Sequence, residues 1–185
     1  NAAGGFGYVA AGYLSPDALR QSLDSTRALT PHPIGVNVFV PSSDDADTDA
    51  ITAYAGRLSA EAARLGVELG EPRWDDDAYA AKLDIVASAG VHTVSFTFGC
   101  PSADDVRRLH SAQIQVAVTV TDADEAEVAA EAGADALIVQ GTEAGGHQGR
   151  FANDAPNHLP LLAALAAVRT RVDLPMIGTG GIMSA

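Results

Sequence analysis

Cysteine is almost absent: only Cys100 carries a thiol in a chain of 185 residues. A single thiol cannot close an internal disulfide, so a disulfide-stapled framework is excluded. Cys100 precedes Pro101 just past an expected strand, and we read it as a bystander thiol of a cytoplasmic protein. Basic residues are also scarce, 11 Lys and Arg against 24 Asp and Glu, for a net charge of −13. That balance disfavours nucleic acid and anionic membrane surfaces as partners. Apolar runs are short, and none approaches the ~20 residues of a membrane span. No secretory leader is visible, and the first residue is Asn1 rather than Met, so the natural start is expected upstream. No histidine has zinc-like spacing to a second ligand, and no metal is expected. What is present is 47% hydrophobic and 19% charged residues, a globular balance with length enough for one sizeable core.

Short β-branched runs alternate with stretches of helical period. Strands are expected at about residues 8–11, 34–40, 92–98, 114–120, 136–140 and 175–178. Ser15 before Pro16 reads as a helix N-cap with proline at the first position. Leu19, Leu23 and Leu29 are expected on that helix's apolar face, and Pro31 and Pro33 stop it. Further helices are expected at about 51–65, 79–89, 103–112, 122–132 and 159–172. Asp44, Asp45, Asp47 and Asp49 read as a solvated helix start, and Trp74 to Asp77 as the cap of the next helix. Strands alternating with helices across short links mean parallel pairing and right-handed crossovers, hence an α/β barrel or a wound sheet. Residues 1–185 read as a single domain, with an inserted helical segment at about 41–78. His32, His92, His110 and His158 read as loop or surface residues.

The stretch Ala134 to Gly149, ADALIVQGTEAGGHQG, concentrates the chemistry. It begins as a buried strand and turns polar at Gln140. Gly145 and Gly146 stand side by side, followed at once by His147. Strand C-terminal ends are where α/β folds place their sites. Two readings stand together: a glycine turn with a structural histidine, or a ligand loop presenting an acid–base imidazole. Gly145 and Gly146 would let a flat or phosphorylated ligand approach the backbone, and Gln140 offers both a donor and an acceptor. Asn37, inside the second strand, is either a satisfied core amide or a ligand contact. Gly178-Thr179-Gly180-Gly181 ends the last strand, where successive backbone N–H groups can form an anion nest.

The string QGTEAGGHQG resembles the signature of the nitronate monooxygenases, formerly 2-nitropropane dioxygenases. These are FMN-dependent TIM-barrel enzymes. Flavin-dependent enoyl-acyl-carrier-protein reductases carry a similar EAGGH string. Gly4–Gly7, Pro33–Val40, Val94–Gly99 and Pro175–Ile182 are similar to nitronate monooxygenase stretches at matching places along the chain. Departures are Thr179, where the family has Ala, and Gln148, where it more often has Arg.

The resemblance implies a (β/α)8 TIM barrel of which this chain covers about six βα units, strands two to seven. Two open sheet edges would then invite association of copies, which leaves room for a homo-oligomer. It implies FMN held by Asn37, Gln140, Gly145 and Gly146, with Gly180 and Gly181 at its phosphate. It implies a small-molecule nitronate or nitroalkane and O2 as partners. The products would be a carbonyl compound and nitrite, and His147 would take the α-proton of a neutral nitroalkane. The inserted segment after Val40 lies beside the active site in that family and favours this group. The alternatives are an FMN-dependent enoyl-acyl-carrier-protein reductase and, in another class, a non-catalytic flavin- or phosphate-binding barrel.

Overall fold

The computed structural model describes residues 4–45, 47–152 and 159–183; His158 lies outside them. Two compact units are present. Residues 1–41 and 77–185 form the first, and residues 42–76 the second.

The first unit holds β1 (Tyr8–Ala10), α1 (Pro16–Leu29), β2 (Gly35–Phe39), α3 (Tyr79–Ser88), β3 (Thr93–Thr97), α4 (Ala103–Ser111), β4 (Gln115–Val120), α5 (Ala123–Ala132), β5 (Ala136–Gln140), α6 (Leu161–Arg169) and β6 (Met176–Thr179). The strands form one six-stranded sheet in the order β1-β2-β3-β4-β5-β6. Every pairing is parallel. Among the described residues β1 and β6 do not pair with each other, so the expected open seam is present. No helix of the described residues is long and apolar enough to cross a membrane.

The sheet's two faces differ in chemistry. Toward the helices it presents Val36, Val38, Val94, Phe96, Val118 and Val139, all 0% exposed. Burying each such side chain contributes about 1.5–3 kcal/mol. The opposite face carries Asn37, Ser95, Thr97, Thr119 and Gln140, because side chains alternate along a strand. Register aligns Asn37 with Ser95 and Ser95 with Ala117 across β2, β3 and β4. A concavity of about 510 Å³ lies on this face, toward the strands' N-terminal ends, with Tyr8, Thr93, Gln115 and Ile177 in its wall. It is at the end of the sheet opposite the strand-end loops.

Local signals explain the helices. Ser15 Oγ accepts from Ala18 N, and Pro16 fills the first turn of α1. Leu19 and Leu23 are buried as expected, but Leu29 is 87% exposed. Ten residues past Leu19, it falls roughly 80° off the buried stripe of a 3.6-residue helix. Ser102 and Asp122 cap α4 and α5 through their side chains. The expected cap of α3 is corrected. The N-cap is Ala78, with no side-chain cap hydrogen bond, and Asp77 turns its carboxylate instead to Lys82 and to the N–H of Tyr13. His32 and His92 are exposed, and His110 Nε2 lies 2.9 Å from Asp135 Oδ2.

In the second unit Asp47 starts α2 (Thr48–Leu65), its carboxylate accepting from Asp49 N and Ala50 N. This is the solvated helix start read from the acidic run. The Trp74 indole donates to Ser42 O at 3.1 Å, tying the two ends of the unit together.

Cys100 is half-buried, and burial pushes its thiol up to about 11. At pH 8 only about one molecule in a thousand would carry the reactive thiolate. Alkylation of the native protein is therefore expected to be far slower than alkylation after unfolding, with label incorporation read by mass.

Candidate functional site

The strand-end loops converge on the polar face of the sheet. Asn37 is half-buried, and its Nδ2 donates to Ser95 Oγ at 2.9 Å and to Thr97 Oγ1 at 3.0 Å. Both amide protons are thus used within the protein, and these bonds leave the Oδ1 acceptor unspent. Thr97 Oγ1 lies 3.3 Å from Thr119 Oγ1. A short polar ladder therefore crosses β2, β3 and β4.

Gln140, at the end of β5, clamps the loop that follows. Its Nε2 donates to His147 O at 3.2 Å, and its Oε1 accepts from Gly149 N at 2.7 Å. One side chain thereby pins the loop on both sides of Gln148. Further along, Phe151 N donates to Glu125 Oε1 at 2.9 Å. The same carboxylate accepts from Thr121 N at 2.7 Å. The chain leaving the loop is tied to the β4–α5 turn.

The loop's first half is anchored differently. Glu143 reaches the start of α6 and accepts from Leu161 N with both carboxylate oxygens, at 3.1 and 2.9 Å. It does the capping that Pro160, with no side-chain hydrogen bond, cannot do. Gly141 is what makes the approach feasible: a Cβ there would lie 2.5 Å from Leu161 N. Replacing Glu143 by Ala should therefore lower stability by about 1 kcal/mol, the usual value of a helix cap. The denaturant midpoint of the full-length protein measures it.

His147 stands exposed on this loop. Its ring meets Phe98 edge to face, with centroids 5.8 Å apart. Phe98 in turn packs on Phe39 at 4.7 Å, and Phe39 on Tyr13 at 5.4 Å. Three rings from the ends of β1, β2 and β3 form a wall that ends at the imidazole. Phe98 occupies the left-handed region at φ 71, a conformation that costs ~1–3 kcal/mol and persists only where the surroundings enforce it.

The candidate glycines behave in two ways. At Gly145 and Gly146 an added Cβ would meet nothing within 4 Å. At Gly180, with φ +111, a Cβ would stand 2.9 Å from Ala144 N, and at Gly181 it would stand 2.8 Å from Glu143 Cβ. The end of β6 thus packs against the β5 loop. The fold brings together the segment Gln140–His147, Gly180 and Gly181, and links Asn37 to Thr97 and Thr119 on the same face of the sheet. Gly141, Glu143, Thr97, Thr119 and the ring wall were not singled out in the sequence. Thr119 had a visible signal, a hydroxyl at the alternate positions of an otherwise apolar strand.

The nitronate monooxygenase family profile matches residues 1–185. The chain belongs to the nitronate monooxygenase family. A probable nitronate monooxygenase of Staphylococcus aureus (strain MSSA476) is 36% identical over 186 residues, covering 97% of this chain and 52% of the relative. The crystal structure of nitroalkane oxidase from Streptomyces ansochromogenes superposes with a TM-score of 0.92 at 43% identity, over 98% of this chain and 53% of that one. FabK from Thermotoga maritima is more distant, with a TM-score of 0.68 at 25% identity, over 98% of this chain and 44% of that one. The fold is accordingly the TIM barrel, here six consecutive strands of it, the first five each followed by a helix. The chain spans about half the length of the curated relatives it matches.

Proposed function

We propose that the whole protein oxidises alkyl nitronates with O2 to a carbonyl compound and nitrite, with FMN as its cofactor. The observation that carries this reading is His147. It is an exposed imidazole held by a clamped strand-end loop and backed by a wall of rings, in a chain of the nitronate monooxygenase family.

The residues fit a flat, phosphorylated cofactor. Open space at Gly145 and Gly146 supports close approach of a ring or its side chain. The glycine turn at Gly180 and Gly181, with φ +111 and +66, supports a cradle of successive backbone N–H groups for a phosphate. Asn37, Gln140, Gly145 and Gly146 would hold the ring and its chain. A bound flavin supplies the electron transfer between the nitronate carbon and O2.

The chain's own residues do the rest. His147 takes the α-proton of a neutral nitroalkane at a carbon placed against the ring wall. A nitronate arrives without that proton and needs His147 only for orientation and electrostatic support. Asn37, oriented by Ser95 and Thr97, offers an acceptor at a fixed place. Gln140 works through the loop, since it holds the His147 and Gly149 backbone.

The test uses the full-length protein. A visible flavin spectrum, O2 uptake with an alkyl nitronate and release of nitrite support the reading. A second reading, enoyl-thioester reduction, rests on the shared string Glu143–His147. NAD(P)H consumption with an enoyl thioester, and no O2 uptake with nitronates, would favour it. Flavin retention with neither activity would favour a non-catalytic binding barrel.

A further inference from the structure

Lys82 lies in the first turn of α3 and is 0% exposed. Both facts run against an ammonium group. Burial removes its hydration, and a helix N-terminus is already the positive end of the dipole. Its Nζ sits 2.5 Å from Asp77 Oδ1. The same oxygen accepts the N–H of Tyr13, 64 residues away in sequence, at 2.9 Å.

An ion pair that served packing alone could be exchanged for apolar side chains at little loss. This pair also fixes a backbone N–H in the loop after β1, which an apolar pair cannot do. The backbone around it is strained: Tyr13, Asp77, Ala78 and Phe98 all have positive φ, from 50 to 71. Tyr13 is the outer member of the ring row, and its ring meets Phe39 with centroids 5.4 Å apart. Phe39 meets Phe98, and Phe98 meets His147. The half-buried Asp77 carboxylate and the exposed imidazole are thus the two ends of one packed series.

We propose that Lys82 and Asp77 are positioning residues: the buried pair holds Tyr13 and, through Phe39 and Phe98, sets the ring wall beside His147 that receives the alkyl chain of the substrate. The substrate half rests on the nitronate reading; the control of the ring row does not.

The experiment uses the full-length protein and the variants Lys82→Met, Lys82→Arg, Tyr13→Ala and Lys82→Met/Tyr13→Ala. The kcat and KM are measured with short- and long-chain alkyl nitronates. In parallel, the His147 Cε1–H signal is followed by NMR in histidine-labelled protein and assigned by its loss in His147→Asn. In Lys82→Met, KM for the long-chain nitronate is expected to rise about tenfold, with kcat and the short-chain KM little changed. Lys82→Arg restores much of the loss. Tyr13→Ala gives the same rise, and the double variant adds nothing to it, as residues acting through one another require. The His147 signal shifts in Lys82→Met and in Tyr13→Ala, because the Phe98 ring has moved.

Additive losses, or KM changes equal at both chain lengths with an unmoved His147 signal, would overturn the proposal. If the wild type oxidises no nitronate, the substrate reading fails by itself and the NMR signal decides. Its movement in Lys82→Met then supports the positioning role, and its constancy refutes it. Should Lys82→Met fail to fold, Lys82→Met/Asp77→Leu removes both charges and the acceptor for the Tyr13 N–H together and is read in the same way.

Discussion

Replacing His147 by Ala should lower turnover of neutral nitroalkanes by ~10²–10⁴-fold, the usual contribution of a positioned base, while nitronate turnover falls much less. The structure makes this a clean substitution. The clamp from Gln140 reaches the backbone carbonyl of His147, not its ring, so the variant keeps the loop in place. The ring itself is exposed, and surface substitutions usually change stability by less than about 0.5 kcal/mol. What disappears is the imidazole and its edge contact on Phe98. Rates on both substrate forms, with flavin content and melting temperature as controls, give the answer. Equal losses on both forms in a folded, flavin-loaded variant would remove His147 as the base.

Gly180→Val should strip most of the flavin from the purified full-length protein, whereas Gly145→Ala should test contact with the cofactor alone. At Gly180 two effects coincide. A β-branched residue resists φ +111, and its Cβ would stand 2.9 Å from Ala144 N and 3.2 Å from Gly141 O. The β5 loop would have to move. Strain of ~1–3 kcal/mol at such a residue, if relieved only by distorting the bound form, corresponds to about five- to 150-fold weaker binding. At Gly145 nothing lies within 4 Å of an added Cβ, so the ligand-free protein would tolerate it. Loss of flavin affinity there would mean that the cofactor passes over that residue. Fluorescence titration of the ligand-free protein with FMN measures both. Unchanged affinity in Gly180→Val would take the end of β6 out of the site.

The strands were readable because a parallel strand covered by helices needs apolar, β-branched side chains, and the helical period resumes directly after each. Val36 and Val38, or Val116 and Val118, announce β2 and β4 with little else competing. The ladder on the other face was only half readable. Asn37 stood out as a polar residue in an apolar run, but its partners Ser95 and Thr97 are fixed by sheet register, which no local pattern specifies. Gln140 was readable as a residue at the mouth and not as a loop clamp, because its partners lie on a chain reversal. Asp77 was misread for a related reason. Its position before a helix suggested a cap, but Lys82 and the remote N–H of Tyr13 compete for the carboxylate and win. A lysine within a helical period is ordinarily taken as solvated, and nothing local marks Lys82 as buried.

The staples on the β5 loop decide how it can move. Glu143 ties one side to α6, and Gln140 ties the other at His147 and Gly149. Ala144, Gly145 and Gly146 lie between these anchors. Whatever breathing the loop has is a three-residue flap rather than the swing of a lid. Motions of that size belong to the nanosecond-to-microsecond range, far faster than an enzyme's typical turnover of about 10 per second. Small molecules would therefore come and go many times per catalytic cycle without waiting for a gate.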